Sequence, residues 1–330
     1  MRKLELTLAC GRYDRTQPLI DGRVQPEGVD LTFLPLRPGE TFWRMLNHGE
    51  FDASEMSLSS YTILRSEGDT RFIAIPVFPS RSFRHSGIYI NTKAGIQEPR
   101  DLVGKRVGCA EYQLSANVWI RGILEDDYGV APSSFTSVIG GLEEAGRPEK
   151  AAVSLPSHIK IEGIGPAQTL SAMLESGEID ALFTPRAPSS FIRGTGRARR
   201  LFDDTYVAER EYYERTKIFP IMHVVVIRRE LYRQHRWVAQ SLFKVFVEAQ
   251  RMAYADLHQT AALKIMLPWL IRHLADTEKV MGRDFWAYGY APNVAAIETL
   301  LRYHHRQGLS PRQLKPDEIF APETLESYKI

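Results

Sequence analysis

The chain has 330 residues, 44% of them hydrophobic and 25% charged, with 42 basic against 40 acidic side chains and a net charge of +2. That length suits two domains, each able to bury a core. The near-neutral balance excludes the clustered basic surface of a nucleic-acid binder, and two cysteines without CxxC or Cys/His spacing argue against a structural zinc site. The opening Met1-Arg2-Lys3-Leu4-Glu5 lacks the apolar run of a secretory signal. No stretch of about 18 apolar residues is present to span a membrane. The expectation is a cytoplasmic chain with no nucleic-acid and no membrane partner; a homo-oligomer is compatible with it.

In chain order, Leu4–Cys10 alternates as a strand does and ends at Gly11. Residues 29–36 form a second predicted strand, and Pro38 opens a helix to about His48. Residues 51–57 are a short strand leading into a helix. Residues 72–78 and 87–91 are further strands, so the order β-α-β-α-β-β favours an α/β sheet with parallel pairs. The pattern restarts near residue 95: a glycine turn and strand over 104–110, an amphipathic helix over 115–128 closed by Gly129, and a strand over 135–139. A helix over 167–174 and a strand over 179–183 follow. The basic run Arg193, Arg197, Arg199, Arg200 reads as a solvated loop. A strongly apolar strand over 219–227 precedes three predicted helices, 237–257, 260–273 and 294–305. The tail from Leu309 is expected to lie extended over the surface. The organisation is nested: lobe one from 1–92 and 203–330, lobe two inserted as 93–202. Ligands in open α/β sheets sit at the carboxyl ends of strands, and a cleft between two lobes is a favoured site.

Pro79-Ser80-Arg81-Ser82-Phe83-Arg84-His85 follows a strand. Two guanidinium groups suit a carboxylate ligand, and histidine is the side chain most easily tuned to move protons near neutrality. A solvated loop is the plainer reading of such a run. Arg12 and Tyr13 follow the first strand and either reach a ligand or merely lead into a helix capped by Asp14. Glu55 ends a short strand, where it either serves a cleft or pairs with an arginine. Tyr112 and Ser115 stand before a helix, whose N-terminus favours anions; Ser115 is equally a cap. Arg186, after a strand and Thr184-Pro185, is a second candidate clamp or a linker residue. His223 sits in an apolar strand, where a histidine is more often part of the core. Trp286 and Tyr288 belong to an aromatic stretch that either plugs the core or walls a ring-shaped ligand. His304 and His305 read as surface residues, and Cys10 and Cys109 as small buried hydrophobes. No GxGxxG, Walker loop, HExxH or GxSxG is present.

"DLVGKRVG" (Asp101–Gly108) and "LESGEIDALF" (Leu174–Phe183) resemble the inserted lobe of the type 2 periplasmic-binding-protein superfamily. Within it the chain resembles the 4,5-dihydroxyphthalate decarboxylase family. The likeness lies in "GRYDRTQPL" (Gly11–Leu19), "FDASEMSLSSY" (Phe51–Tyr61), "FPSRSFRHSGIYIN" (Phe78–Asn91), "GCAEYQLSANVWIRGIL" (Gly108–Leu124), "FPIMHVVVIRREL" (Phe219–Leu231) and "DFWAYGYAPN" (Asp284–Asn293). The resemblance implies an α/β, two-lobed type 2 periplasmic-binding-protein-like fold. It also implies non-oxidative decarboxylation of a small anionic aromatic dicarboxylate after lobe closure, and it brings His223 in as a site residue. The expected roles are Arg81, Arg84 and Arg186 as carboxylate clamp, His85 as acid, and Glu55 or His223 near the hydroxyls. Arg12, Tyr13, Tyr112, Ser115, Trp286 and Tyr288 are expected to line the substrate. No cofactor is expected and no metal ligand is assigned, although a divalent ion held by Glu55, His85 and His223 stays an open alternative. The rival functions are a cytoplasmic binding protein or sensor for an aromatic acid, and an enzyme of the thiamin-precursor type, which would want a ligand-linked lysine or Cys-rich segment.

Overall fold

The structure, a computed structural model, describes residues 2–146 and 155–326. Among these residues the strands are β1 (Leu4–Cys10), β2 (Val29–Pro35), β3 (Ala53–Ser57), β4 (Phe72–Ile75), β5 (Ile88–Asn91), β6 (Arg106–Cys109), β7 (Thr136–Ile139), β8 (Lys160–Gly163), β9 (Ala181–Phe183), β10 (Ala198–Arg200) and β11 (His223–Arg228). They form two sheets. The chain divides into one unit of Met1–Arg81, Ile221–Glu298 and Leu314–Ile330, and a second of Ser82–Pro220 and Thr299–Gln313.

The first unit carries the sheet β2-β1-β3-β11-β4. In β1 the alternation Leu6, Leu8 against Glu5, Thr7 buries the leucines and leaves Glu5 exposed. β1 runs parallel to β2 and β3, whereas β11 runs antiparallel to β3 and β4. The β-branched run Val224–Ile227 is wholly buried, as a central strand covered on both faces requires. Helix Pro38–His48 starts with proline in its first turn and stops at Gly49, whose φ of 56° is left-handed. Helix Trp237–Leu257 buries Val238, Leu242, Val245, Phe246, Ala249 and Ala253, a stripe at helical spacing. Each large side chain so buried stabilises by roughly 1.5–3 kcal/mol.

This topology positions chemistry. The parallel strands β1 and β3 end at one edge of the sheet, and antiparallel β11 begins there. The chain therefore delivers Gly11, Glu55 and His223 to one edge from three separate segments.

The second unit carries the sheet β10-β5-β9-β6-β7-β8. β6, β7, β8 and β9 pair in parallel, while β5 is antiparallel to both β9 and β10. Tyr89, Val138, Leu170, Met173, Leu174, Ile179 and Leu182 form its core. A Cβ on Gly108 would lie 2.7 Å from Ile179 Cδ1, so β6 needs glycine where that side chain crosses it.

Several expectations change. β5 pairs within the second sheet, so the second unit starts at Ser82 rather than residue 93. It runs past residue 202 to Pro220, taking in the polar helix Thr205–Thr216, whose weak amphipathicity hid it. Ala198–Arg200 of the basic run is an edge strand. The helix expected over 260–273 starts instead at Leu270, because Pro268 disfavours helical backbone before it. Pro76 ends β4 early, and Pro220 precedes the strand that starts at His223. The tail is not superficial: Leu314, Ile319, Phe320 and Ala321 are buried, and Ala321 donates its N–H to the Ala74 carbonyl. His304 is also buried, its Nδ1 2.5 Å from Ser310 Oγ, although it was expected at the surface. No helix among the described residues is long and apolar enough to cross a membrane.

Candidate active site

Glu55 is fully buried in β3, and its carboxylate is surrounded by donors from two other segments, residues 10–13 and β11. Oε2 accepts the Gly11 N–H at 2.8 Å and the Cys10 thiol at 3.4 Å. Oε1 accepts the Tyr13 hydroxyl at 2.9 Å and lies 2.5 Å from His223 Nδ1. The register explains the convergence. Leu8 and Ala9 pair with Ala53 and Ser54, so the next residues along, Cys10 and Glu55, are neighbours. On the other side Val225 pairs with Glu55, which sets His223 diagonally across from it.

The turn after β1 folds Tyr13 back over the strand end. Thr16 Oγ1 receives the Tyr13 N–H at 2.9 Å and donates to the Gly11 carbonyl at 2.8 Å. A Cβ at Gly11 would stand 2.5 Å from Tyr13 Cζ, so glycine there is a condition of the ring's position. Phe42 meets the His223 ring edge-on at 4.8 Å. With Nδ1 committed to Glu55, Nε2 is the nitrogen His223 has left to offer.

Electrostatics follow the geometry. Burial pushes the Glu55 carboxyl up, but the His223 ring beside it and the bonds from His223, Gly11 and Tyr13 outweigh burial and hold it below the ordinary carboxylate range. Burial, then the Glu55 charge, pushes the Tyr13 phenol and the Cys10 thiol well up. Both stay protonated as donors, and Glu55 stays a carboxylate. Four donors leave this carboxylate no free role as a base toward a ligand; it orients.

Arg15 extends the constellation. Its guanidinium is stacked between the Tyr13 ring at 4.3 Å and the Trp286 ring at 4.2 Å. It donates through Nε to the Pro79 carbonyl at 2.8 Å and pairs with Asp14 at 2.9 Å. Trp286 Nε1 donates to the Phe78 carbonyl at 3.0 Å. Tyr288 is buried with its phenol pushed up by burial and eased by Arg15, and its hydroxyl has no hydrogen-bond partner among the described residues. Arg81 is buried too, donating to the Ala287 carbonyl at 2.7 Å and to the Asn293 side chain; it braces the aromatic loop. Arg12 is exposed beside Tyr13.

The remaining expected site residues belong to the second unit. His85 is buried against Phe202 at 5.2 Å and Tyr212 at 5.4 Å. Burial, then the Arg215 charge, brings its imidazole down to about 4. That environment favours the neutral imidazole at pH 7. Arg84 is half-buried, and burial lowers its guanidinium to about 10 against the opposing pull of Glu209. Arg186 is exposed, with its backbone N–H 3.1 Å from Thr184 Oγ1. Tyr112 lies buried under Arg121 at 3.7 Å, and Arg121 Nε donates to Gln307 Oε1 at 2.9 Å. Ser115 is buried in the first turn of helix Ser115–Tyr128.

The structure thus joins Glu55, His223, Tyr13, Trp286 and Tyr288, and adds Arg15 and Cys10, which sequence reasoning passed over. Cys10 is a small buried side chain, and its thiol also bonds Glu55. Arg15 carried no sequence signal beyond following Asp14, because its two ring partners, Tyr13 and Trp286, are 273 positions apart. Among the described residues no group of three or more His, Cys, Asp or Glu is placed to hold a metal ion.

Comparison with known proteins sets this geometry in context. The chain is 45% identical over 330 residues to 4,5-dihydroxyphthalate decarboxylase of Comamonas testosteroni, covering 100% of both chains. It is 47% identical over 213 residues to the enzyme of the same name from Pseudomonas putida, covering 64% of this chain and 83% of that one. No family model matches the sequence. Among solved structures, a periplasmic sulfonate-binding protein from Methylobacillus flagellatus superposes with a TM-score of 0.58 at 16% identity, over 97% of this chain and 92% of that one. The aliphatic sulphonate-binding protein of Escherichia coli gives 0.55 at 14% identity, over 98% and 99%. These last two likenesses establish the fold: two-lobed and periplasmic-binding-protein-like.

Proposed function

The chain belongs to the 4,5-dihydroxyphthalate decarboxylase family, and from that premise we propose that His223, oriented by Glu55, delivers the proton that replaces the departing carboxylate. The reaction is a carboxy-lyase step on a small anionic aromatic. Each carboxylate of the substrate lies para to one hydroxyl, whose oxygen feeds electron density to the carbon bearing that carboxylate. A proton from His223 Nε2 forms the new C–H bond there. The bond to the carboxylate then breaks, its electron pair restores the aromatic ring, and carbon dioxide leaves. Dianionic substrate plus one proton gives carbon dioxide and monoanionic 3,4-dihydroxybenzoate. His223 regains its proton from water. The ring takes up the charge, so this path calls for no electron-sink cofactor.

The observation that carries the reading is the 2.5 Å contact between His223 Nδ1 and a carboxylate that three further donors fix in place. Glu55 holds one tautomer and faces the imidazolium charge before transfer. Arg12, exposed on the same turn as Tyr13, supplies a guanidinium for the retained carboxylate. The Arg15–Trp286 stack supports the Tyr13 ring.

Glu55→Gln tests the orienting role. The variant keeps shape and loses charge. The expected result is a fall in kcat of about 10²–10⁴, the range of lost acid–base assistance, with KM within a few-fold and an altered pH–rate profile. An unchanged kcat, or a loss confined to KM, would assign Glu55 to folding alone.

A further inference from the structure

A cavity of about 610 Å³ opens in the first unit at the opposite end of β11 from His223. Arg71, Arg228, Arg229 and Arg233 line it, against the acids Asp69 and Glu230. Two of the arginines are already compensated: Arg71 pairs with Asp69 at 2.8 Å, and Arg228 with Asp52 at 2.6 Å. The other two are not. Arg229 and Arg233 stand one turn apart on helix Arg229–Gln234, a spacing at which like charges repel. Arg229 Nε donates only to the Thr70 carbonyl, at 3.3 Å, and neither guanidinium has an ion-pair partner among the described residues. Burial, then the nearby Arg65 and also Arg233, pulls the Arg229 guanidinium down. Two like charges held together at the wall of a concave site leave an unmet demand for negative charge.

We propose that this cavity binds a small, multiply charged oxyanion, clamped between Arg229 and Arg233 with Arg228 and Arg71 at its sides. Guanidinium forks suit planar or tetrahedral oxyanions, and a volume of this size takes a ligand larger than one phosphate. The chemistry is shared by a condensed phosphate and by an aromatic dicarboxylate. Occupancy relieves the Arg229–Arg233 repulsion, so it stabilises the fold. The site is separate from the Glu55–His223 pair: β11 alone sets about 17 Å of strand between His223 and Arg228, at roughly 3.3 Å per residue.

The test is thermal unfolding of the full chain with pyrophosphate or phthalate, each against potassium chloride of equal ionic strength, for the native protein, Arg233→Gln and Arg229→Gln/Arg233→Gln. The expected result is a rise in Tm with at least one anion beyond the chloride control, an apparent affinity at least tenfold weaker in the double variant, and unchanged decarboxylase turnover there. The anion whose effect is lost identifies the source. With no anion present, Arg233→Gln should be no less stable than the native chain. The proposal is overturned if neither anion exceeds chloride, or if neither anion's effect depends on the two arginines.

Discussion

Two histidines show how surroundings divide one side-chain type between roles. His223 is partly buried, its side chain 19% exposed, and held by a carboxylate, whereas His85 is buried among aromatic rings with its Nδ1 unpartnered among the described residues. His85 has a folded value of about 4, below its ordinary value near 6.5. The unfolded chain therefore binds more protons between about pH 4 and 6.5, and stability rises with pH across that window. It is complete above the unfolded value and lost as pH falls toward 4. His85→Phe should flatten the stability–pH curve between those limits; urea midpoints at pH 5 and 7 that differ by as much in the variant as in the native chain would refute this. Glu55 acts lower: its depressed carboxyl contributes stability present above the ordinary carboxylate range and lost as pH falls through the folded value. At this scale much was legible. Glu55 and Tyr13 could be singled out from residue type and position at strand ends, whereas His223, in a strand where residue type alone favours a core histidine, entered through the family resemblance. That His223 rather than His85 has the carboxylate could not be read from sequence, because it depends on which strands pair.

At the scale of elements, glycines mark where segments touch most closely. Gly122 lies inside helix Ser115–Tyr128, where alanine would normally gain about 1 kcal/mol of helix propensity. A Cβ there would be 2.1 Å from Tyr303 Cδ2, and that buried ring is pinned by its hydroxyl bond to Asp126 at 2.9 Å. Overpacking should prevail, so Gly122→Ala is expected to lose about 1–3 kcal/mol, read as a lowered urea midpoint. A midpoint equal to or above the native one would show that Tyr303 can move aside. Strands with alternating or β-branched residues and helices with apolar stripes were readable from sequence. What escaped were elements that owe their form to partners: β8, exposed at a sheet edge, β10 within a charged run, and the polar helix Thr205–Thr216. Pairing stabilises such segments without a hydrophobic pattern to announce it.

At the scale of the molecule, the fold is one that also serves proteins named for sulfonate binding, so architecture alone does not specify decarboxylation. The family does, and the chain matches one relative across its full length. The nested organisation was visible in the restart of the β-α pattern near residue 95. The unit boundaries were not, because β5 pairs with β9 and β10, far along the chain, rather than with its sequence neighbours. Sheet topology then explains why the site is where it is. An antiparallel strand set between two others starts where its parallel neighbours end, and so brings a histidine to a buried glutamate 168 residues away.

The most direct test of this account is carbon dioxide release from 4,5-dihydroxyphthalate by the native chain and by His223→Gln, with product followed by chromatography. The account predicts equal amounts of carbon dioxide and 3,4-dihydroxybenzoate from the native chain, and turnover about 10²–10⁴ slower in the variant, with KM within a few-fold. A variant as fast as the native chain would contradict the assignment of His223, and a native chain that binds the substrate without releasing carbon dioxide would contradict the reaction itself.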